Sequence, residues 1–371
     1  MMLPVDLEMF WKDDESAHKD NCFNADSPQV ALGIRMSDEC VFAELGEEGN
    51  PWGYTPREFR IELNKRYNDK AEKIVGKRLL KEEFPTKDET FPKIKQIGEV
   101  FGGRYEDNNN SIWLHGSCTT PQELEKVLDK VDKMDIREFM LPPDWESEKK
   151  RIFETYGKKP KLLRHVRGPV TLAMSIYGDI NLIYLIYDIP DLAKRFSETI
   201  SDVIIKMGKV MDEEAGYDPG EAPHGFSFAD DNCSLLTPEM YELFGYPVLK
   251  KVFDYWSPNE KDKRFQHSDS EMAHLLPILS KLNLTGCNFG PTVLVDEIRK
   301  YMPRTRINGC LAPFTFMSND ENKIIEEVKR DCIMAKECKG LNLLTAGSIN
   351  NGSLLTSMRA VMYAIQNYGR Y

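Results

Sequence analysis

Apolar and polar positions along the second half of the chain predict strands and helices in alternation. Between residues 191 and 215, apolar side chains recur at steps of three and four, which places them on one face of a long helix. Short apolar strand candidates follow, separated by stretches with helical periodicity. The strand candidates are 225–229, 264–267, 284–289, 305–309 and 341–346. The helical stretches are 237–256, 270–282, 293–302, 319–337 and 353–368.

A strand followed by a helix, repeated five times, is typical of a parallel sheet or barrel. No GxGxxG follows the first strand and no GxxxxGK[ST] occurs, so the two commonest nucleotide-binding α/β folds lack their signatures. We therefore predict an α/β fold of the (β/α)8 TIM-barrel type. Residues 1–100 carry one charged helical stretch, at 56–81, and are otherwise irregular. We expect them to form a partly helical cap packed on a barrel of residues 101–371, in one structural unit.

Composition narrows the choice of partners. The 371 residues include 49 Lys+Arg and 60 Asp+Glu, a formal net charge of −11. A protein with this negative net charge lacks the basic surface that binding to a phosphate backbone requires, so no nucleic-acid partner is expected. No segment approaches the roughly 18 apolar residues of a membrane span, and no secretory signal is visible, so we expect a cytoplasmic protein without membrane contact. The eight cysteines include no CxxC pair and should be thiols.

Polar residues follow the predicted strands at the points where the strands end. In a parallel barrel these carboxyl ends meet at one face, where the chemistry of such folds is found. The polar residues at the strand ends are His115, Arg167, Asp230, Asp231, His267, Asp269, Asn288, Asn308, Cys310 and Ser348. Their convergence on one mouth predicts an active site there.

His267 and Asp269 form a His-x-Asp pair that can offer an imidazole and a carboxylate to one metal ion. Asp231 and Cys310 would arrive from neighbouring strand ends, and zinc accepts this mixture of N, O and S ligands. A purely structural interpretation is also open. In it, His267 closes a strand, Asp269 caps the next helix, and Cys310 is a small buried apolar residue.

The remaining candidates also leave two interpretations open. Asp230 and Asp231 can anchor a substrate, orient a proton donor or bind metal, or they can be solvated loop acids. Arg167 can pair with a substrate carboxylate in bidentate fashion, or it can form a structural salt bridge. His115 can likewise bind substrate or have a structural role. No Ser-His-Asp set at recognisable spacing is present, which disfavours nucleophilic hydrolysis.

Four ordered segments resemble the uroporphyrinogen decarboxylase superfamily. They are RGPVTLAMSIYGDINLIYLIYDIPDLAKRF, LLTPEMYELFGYPVLKKVFD, NGCLAPF and LLTAGSINNGSLLTSMRAVMYAIQNYG. The resemblance covers residues 160–371 well, and it implies a (β/α)8 barrel. It also implies one of two chemistries, because the superfamily contains decarboxylases and corrinoid-dependent methyltransferases.

The decarboxylase branch has an arginine-rich N-terminal segment that holds porphyrinogen carboxylates, and a histidine on the last strand. The corresponding segment here is ALGIRMSDECVF, with Arg35 followed by acids, and Ser348 stands where the histidine is expected. A site for a polyanionic tetrapyrrole should be basic. The acidic residues of this segment therefore argue against tetrapyrrole decarboxylation.

The methyltransferase branch builds a zinc site from a His-x-Cys pair and a later cysteine. In this chain the pair aligns with His267 and Asp269, and the later cysteine would fall near Ser348. A harder His, Asp and Cys site suits polarisation of an oxygen better than activation of a thiolate. The resemblance therefore implies the demethylating component of an anaerobic O-demethylase.

That component would move a methyl group from a methoxylated aromatic molecule to cobalamin carried by a separate corrinoid protein. Zinc or an acid group would withdraw charge from the ether oxygen. The catalytic residues would be Asp231, Asp230, His267 and Asp269, and the metal ligands would be His267, Asp269 and Cys310. The substrate-binding residues would be Arg167, His115, Asn288, Asn308, Ser348 and Arg35. A decarboxylase of a small or tetrapyrrole acid and a silent binding barrel are the alternatives, and monomer and homodimer both stay open.

Overall fold

The computed structural model describes residues 2–108, 111–349 and 351–371, which form nine strands and sixteen α-helices. The strands are β1 (Ala31–Leu32), β2 (Arg104–Asn108), β3 (Ser111–His115), β4 (His165–Arg167), β5 (Phe226–Ala229), β6 (Arg264–Ser268), β7 (Gly286–Phe289), β8 (Arg306–Leu311) and β9 (Leu341–Thr345). The helices are α1 (Leu7–Ala17), α2 (Glu39–Leu45), α3 (Arg57–Val75), α4 (Ile97–Val100), α5 (Pro121–Asp132), α6 (Ile136–Met140), α7 (Trp145–Tyr156), α8 (Pro169–Tyr177), α9 (Asp179–Asp188), α10 (Pro190–Glu214), α11 (Pro238–Trp256), α12 (Leu276–Leu279), α13 (Val295–Tyr301), α14 (Pro313–Met317), α15 (Glu321–Ala335) and α16 (Leu355–Tyr368).

Seven strands are hydrogen-bonded in the order β1-β9-β8-β7-β6-β5-β4. From β4 to β9 each strand neighbours the next one in the chain, and helices connect them. The pairs β4–β5, β5–β6, β7–β8 and β8–β9 are parallel, as is the pair β1–β9. This order is typical of strands wound with helices into a barrel wall. The predicted α/β class of the (β/α)8 type is confirmed.

The strand that ends at His115 has a different role from the one expected. It is β3, and it pairs antiparallel with β2 in a separate two-stranded hairpin. His115, the last residue of β3, is the register partner of Arg104 and lies 3.1 Å from the Glu106 carboxylate, with about half of its side chain exposed. The placement of His115 at the end of a barrel strand was therefore wrong, because an isolated apolar run does not reveal which strand it pairs with.

Helix boundaries follow local sequence signals. The helix predicted at 191–215 is α10. Pro190 occupies its first position, where a backbone N–H would have no partner within the helix, so its absence costs no hydrogen bond. The charged stretch at 56–81 contains α3. Before α5, the Thr120 hydroxyl accepts from the Glu123 amide and the Glu123 carboxylate accepts from the Thr120 amide, a capping box. These polar residues satisfy amides that the first helical turn leaves unpaired.

The chain groups into two compact units. The first unit comprises Met1–Phe84, Ser268–Leu276 and Thr285–Tyr371. In it, β1 pairs with β9, and Arg359 of α16 donates to the carbonyls of Leu3 and Ile74. Residues 31–32, inside the predicted cap, are thus a strand of the sheet. The predicted division into a cap of residues 1–100 and a barrel of residues 101–371 stays a prediction.

The second unit comprises Pro85–His267 and Pro277–Leu284. Its core contains the rings of Phe226, Phe228 and Phe253, with centroids 5.1 and 5.4 Å from that of Phe228. At the end of α10, Glu214 is buried and accepts from the Trp145 indole at 2.6 Å and the Lys149 ammonium at 2.5 Å. Pairing satisfies this buried charge and joins α7 to α10.

No helix in the described part of the chain is by itself both long and apolar enough to cross a membrane. The pair α8 and α9 meets that length and hydropathy criterion only when both helices are counted together, and they are bent by 104°.

Replacing Phe228 by Ala tests the aromatic core of the second unit. Phe228 is fully buried, and a Phe-to-Ala change in a core costs about 3–5 kcal/mol of unfolding free energy. Denaturant unfolding should show a loss of that size. The matched control is Phe153→Ala on α7, where 53% of the side chain is exposed and the loss should stay below about 1 kcal/mol. Equal losses in the two variants would contradict this assignment of the core.

Replacing Asp331 by Asn tests a buried acid of the first unit. Burial raises the pKa of Asp331 to about 6, whereas an unfolded Asp titrates near about 3.9. Between those values the folded protein keeps a proton that the unfolded chain releases, so the unfolding free energy falls as pH rises through the window. Asn cannot titrate. Denaturant unfolding at several pH values between 4 and 7 should therefore show a smaller fall of the unfolding free energy with pH in the variant than in the wild type. An unchanged slope would rule out this contribution.

Candidate active site

The carboxyl ends of β4, β5 and β6 align in register. Arg167, the last residue of β4, pairs with Ala229 of β5, and Ala229 pairs with His267 of β6. Register partners in a parallel sheet project to the same face. The side chains of Arg167 and His267 therefore leave one face of the sheet, two strands apart. The strand-end convergence predicted for these two residues is present.

Asp231 and His267 lie together at this end of the second unit. Asp231 begins the short 3-10 helix Asp231–Leu235, one residue after the end of β5. Its Oδ1 lies 3.8 Å from His267 Nε2, and both side chains are partly exposed, at 40% and 27%. Asp269 follows His267 by two residues, and one donor atom of each of the three lies within 4.8 Å of the others. One imidazole and two carboxylates thus converge.

This donor set fits a divalent cation. In a tetrahedral zinc site, ligand bonds of about 2.1 Å place donor atoms about 3.4 Å apart, close to the 3.8 Å between His267 Nε2 and Asp231 Oδ1. Imidazole and carboxylate are both ligands that zinc accepts. His267 and Asp269, two of the three predicted ligands, therefore belong to the group, and Asp231 joins them.

Asp230 has a different role from its neighbour. It is fully buried, and its carboxylate accepts from the amides of Thr171 at 2.7 Å and Val170 at 3.4 Å, at the start of α8. Its own amide donates to the carbonyl of His267 at 2.9 Å. Burial raises the pKa of Asp230 to about 6. The carboxylate thus caps the first amides of α8, and the catalytic role of Asp230 stays a prediction.

Gly168 permits this cap. A Cβ at position 168 would lie 2.2 Å from the Asp230 Cβ, closer than two carbon atoms approach without a bond. The absence of a side chain lets the turn between β4 and α8 close over the carboxylate. The backbone around Arg167 is thereby fixed to the ends of β5 and β6.

Arg167 is half-buried and forms no salt bridge with the residues that the structure describes. Its Nη1 donates to the Ser175 hydroxyl at 3.3 Å, and that hydroxyl donates to the Thr171 carbonyl at 2.9 Å. Tyr105 lies close enough for the Arg167 charge to act on its hydroxyl. No carboxylate among the described residues is within salt-bridge distance of Arg167. Of the two interpretations that the sequence left open for Arg167, the structural salt bridge was wrong.

Sequence reasoning missed His165. It precedes Arg167 by two residues on the same face of β4, and its register partner is Ser227, whose hydroxyl lies 3.1 Å from His165 Nδ1. Burial, then the charge of Lys263 and then His267 lower the pKa of His165. The period of two along β4 was the available signal, since a residue two before a site residue shares its face.

Two further candidate site residues, Asn288 and Asn308, belong to a hydrogen-bond network within the first unit. Asn288 Nδ2 donates to the carbonyls of Asn308 and Thr345. Asn308 Oδ1 accepts from Arg306 Nε at 3.1 Å and Asn342 Nδ2 at 3.0 Å. Both candidate side chains are buried. They tie β7, β8 and β9 together, and substrate binding by Asn288 and Asn308 stays a prediction.

Among the described residues, the group that could hold a metal ion contains Asp231, His267 and Asp269 and does not include Cys310. Its side chain is 1% exposed, and its amide donates to Asp331 of α15. Burial raises the pKa of the Cys310 thiol well above its ordinary value, and the nearby carboxyl of Asp331 raises it further. A thiol must lose its proton to bind zinc. Cys310 as a metal ligand stays a prediction.

Three candidates lie in exposed or loop positions of the first unit. Arg35 is exposed three residues after β1, and Ser348 is exposed three residues after β9. Asp269 is exposed directly after β6, and a Cβ on Gly347 would lie 3.1 Å from the Asp269 Cβ. Substrate binding by Arg35 and Ser348 stays a prediction.

Comparison with known proteins supplies the family. A family model described as uroporphyrinogen decarboxylase (URO-D) matches residues 119–367. A solved structure of a methyltransferase from Methanosarcina mazei is similar over 93% of this chain and 95% of its own, with 16% identity and a TM-score of 0.55. At that identity the likeness shows a common fold. No curated protein matches the chain. The family model covers well over half of the sequence, and the resemblance of the sequence segments is confirmed: the chain belongs to the URO-D family.

Proposed function

We propose that the protein is a methyltransferase of the URO-D family that takes a methyl group from a methoxylated aromatic molecule and passes it to the corrinoid of a separate protein. The observation that carries the proposal is the group of Asp231, His267 and Asp269 at the strand ends. The group offers one nitrogen and two carboxylate donors and no sulfur. The fold shared with a methyltransferase from Methanosarcina mazei adds support.

The donor set favours an oxygen substrate over a thiol. Thiolate ligands suit a zinc ion that must hold and activate a thiolate, whereas imidazole and carboxylate ligands leave the ion a harder acid. Cys233, the cysteine nearest to Asp231 in sequence, is fully buried and donates to the Asp230 carbonyl at 2.7 Å. An ether oxygen therefore matches this site better than a sulfur nucleophile does.

The reaction breaks the bond between the ether oxygen and the methyl carbon. Both electrons of that bond stay on the oxygen, so phenolate charge develops as the methyl group moves to the reduced corrinoid. A divalent cation held by Asp231, His267 and Asp269 would supply the positive charge that stabilises this oxygen. The hydrogen bond from the Asp230 amide to the His267 carbonyl holds the backbone at these ligands in place before substrate binds. Charge that is positioned in advance lowers the barrier of a reaction.

Decarboxylation of a carboxylic acid is the second candidate. The observation that favours it is Arg167, a half-buried cation that faces a hydroxyl and no acid in the described residues. Such an arginine can hold a substrate carboxylate. Release of CO2 from candidate acids without any corrinoid protein would identify this activity, and methyl transfer without CO2 release would exclude it.

Metal content tests the proposed site directly. Protein purified without chelator should contain close to one equivalent of zinc or a similar divalent ion, measured by elemental analysis. His267→Ala should lose most of it, and methyl transfer from a methoxylated benzene to a reduced corrinoid should fall about a hundredfold or more.

The matched control is His224→Ala. His224 is a partly exposed histidine that pairs with Asp262 at 3.1 Å, and its loss should change neither metal content nor turnover. Circular dichroism should show that both variants are folded. Full activity in His267→Ala, or metal-free wild-type protein that still transfers methyl groups, would overturn the metal assignment.

A further inference from the structure

We infer that the exposed face of α9 binds an amphipathic helix of another protein, one whose apolar side chains are flanked by lysine or arginine. We call this face the α9 patch. It consists of Ile180, Tyr184 and Tyr187, with Asp179 and Asp188 as the first and last residues of the helix. The inference goes beyond the proposed function and does not depend on it, and its test requires no turnover.

The composition of α9 is that of a helix covered on all sides. The sequence of α9 is DINLIYLIYD, and no Lys, Arg or His occurs between residues 168 and 193. A helix that is apolar all round is normally buried. One side of α9 meets this expectation, because Leu182, Leu185 and Ile186 are buried within the second unit. The opposite side lies at the surface, where a partner would complete the burial.

The exposed side carries a continuous apolar stripe. Ile180, Tyr184 and Tyr187 follow one another at steps of four and three, which places them on one helical face. Their exposed fractions are 62%, 62% and 78%. An aromatic side chain has about 150–250 Å² to bury, so the two tyrosines alone expose roughly 200–350 Å². Apolar patches of a few hundred Å² mark interaction surfaces, and tyrosine is enriched in them.

Acids surround this stripe without basic counterparts. Asp179 and Asp188 are exposed at the two ends of α9, and Asp191 is exposed near the start of α10. None of these three acids forms an ion pair with the residues that the structure describes. Their combined charge attracts a basic partner and repels an acidic one.

A groove adjoins the N-terminal end of α9. It has a volume of about 490 Å³ and lies between residues 116–119 and the corner where α8 meets α9, with Asn181 on its wall. Among the described residues that line it, Glu123 is the charged one. A long basic side chain suits this groove, because its aliphatic stem can lie along the wall while its charge stays near the carboxylate and solvent.

A helix is the element that pairs best with the α9 patch. Side-chain ridges of two helices interlock along such a stripe, and an amphipathic helix binds through apolar residues at the same three- and four-residue steps. The ten residues of α9 span about 15 Å, which corresponds to about three turns of a partner helix.

Charge argues against two other ways of covering the patch. A symmetric dimer sets the same surface of two copies against itself, so Asp179 and Asp188 would face the same acids of the second copy, and like charges oppose association. Helices that lie on anionic membranes carry Lys or Arg beside their apolar face, and this segment has none. A basic protein partner is favoured by both the apolar stripe and the charge.

The test uses a labelled peptide of leucine and lysine as the probe, with its leucines on one helical face. A length of about 15 residues is needed, because shorter isolated helices are marginal in water. Fluorescence anisotropy should show that the peptide binds wild-type protein. The double variant Tyr184→Ala/Tyr187→Ala should bind it about tenfold more weakly or worse, since aromatic residues dominate such interfaces. Asp188→Asn should weaken binding about threefold and reduce its salt dependence.

Phe153→Ala and Glu154→Gln on α7 are the matched controls for the aromatic and acidic changes. Their side chains are 53% and 63% exposed in the same unit, and both variants should bind the peptide as the wild type does. Circular dichroism should show that every variant is folded, as expected for changes at exposed positions.

Three results would overturn the inference. The first is equal peptide affinity in wild-type protein and Tyr184→Ala/Tyr187→Ala, or equal binding of a peptide with glutamate in place of lysine. The second is self-association in analytical ultracentrifugation that the double variant abolishes, because a second copy would then cover the patch. The third is binding to vesicles of phosphatidylcholine and phosphatidylglycerol that the same variant abolishes, because a membrane would then cover it.

Discussion

The site depends on the parallel register of β4, β5 and β6. Because Arg167, Ala229 and His267 are partners across three strands, a cation and an imidazole project from the same face at a fixed separation. A shift of one residue in any of these strands would turn its side chain to the opposite face. Hydrogen bonds between backbones therefore determine which chemical groups meet, and the loops only add Asp231 and Asp269 to that arrangement.

One buried carboxylate holds these strand ends to the helices behind them. Asp230 links α8, through the amides of Val170 and Thr171, to the end of β6, through the His267 carbonyl. Burying a carboxyl group costs free energy unless hydrogen bonds compensate. Here amides at a helix N-terminus compensate, where their partial positive charge favours an acid. A second acid, Asp331, plays a similar role behind β8 in the first unit.

Periodicity in the sequence predicted most strands and helices, because apolar spacing follows from the local geometry of each element. Strand pairing lies beyond that local information, which is why the hairpin that holds His115 was not foreseen. The location of the site was predictable from the ends of parallel strands, as Arg167, Asp231 and His267 show. The direction of individual side chains was not: Asp230 and Asp231 are adjacent, yet one is buried in a helix cap and the other is partly exposed. Cys310 likewise required knowledge of α15, which covers it.

The close approach of Gly168 to Asp230 has a consequence for how this sequence can diverge. Any larger residue at position 168 would occupy the space of the Asp230 side chain, so mutation there is tolerated only after residue 230 has become smaller. A smaller residue 230 would in turn leave the first amides of α8 without their acceptor. The two positions are therefore linked in evolution, and drift at either one should be visible among relatives only as a joint replacement.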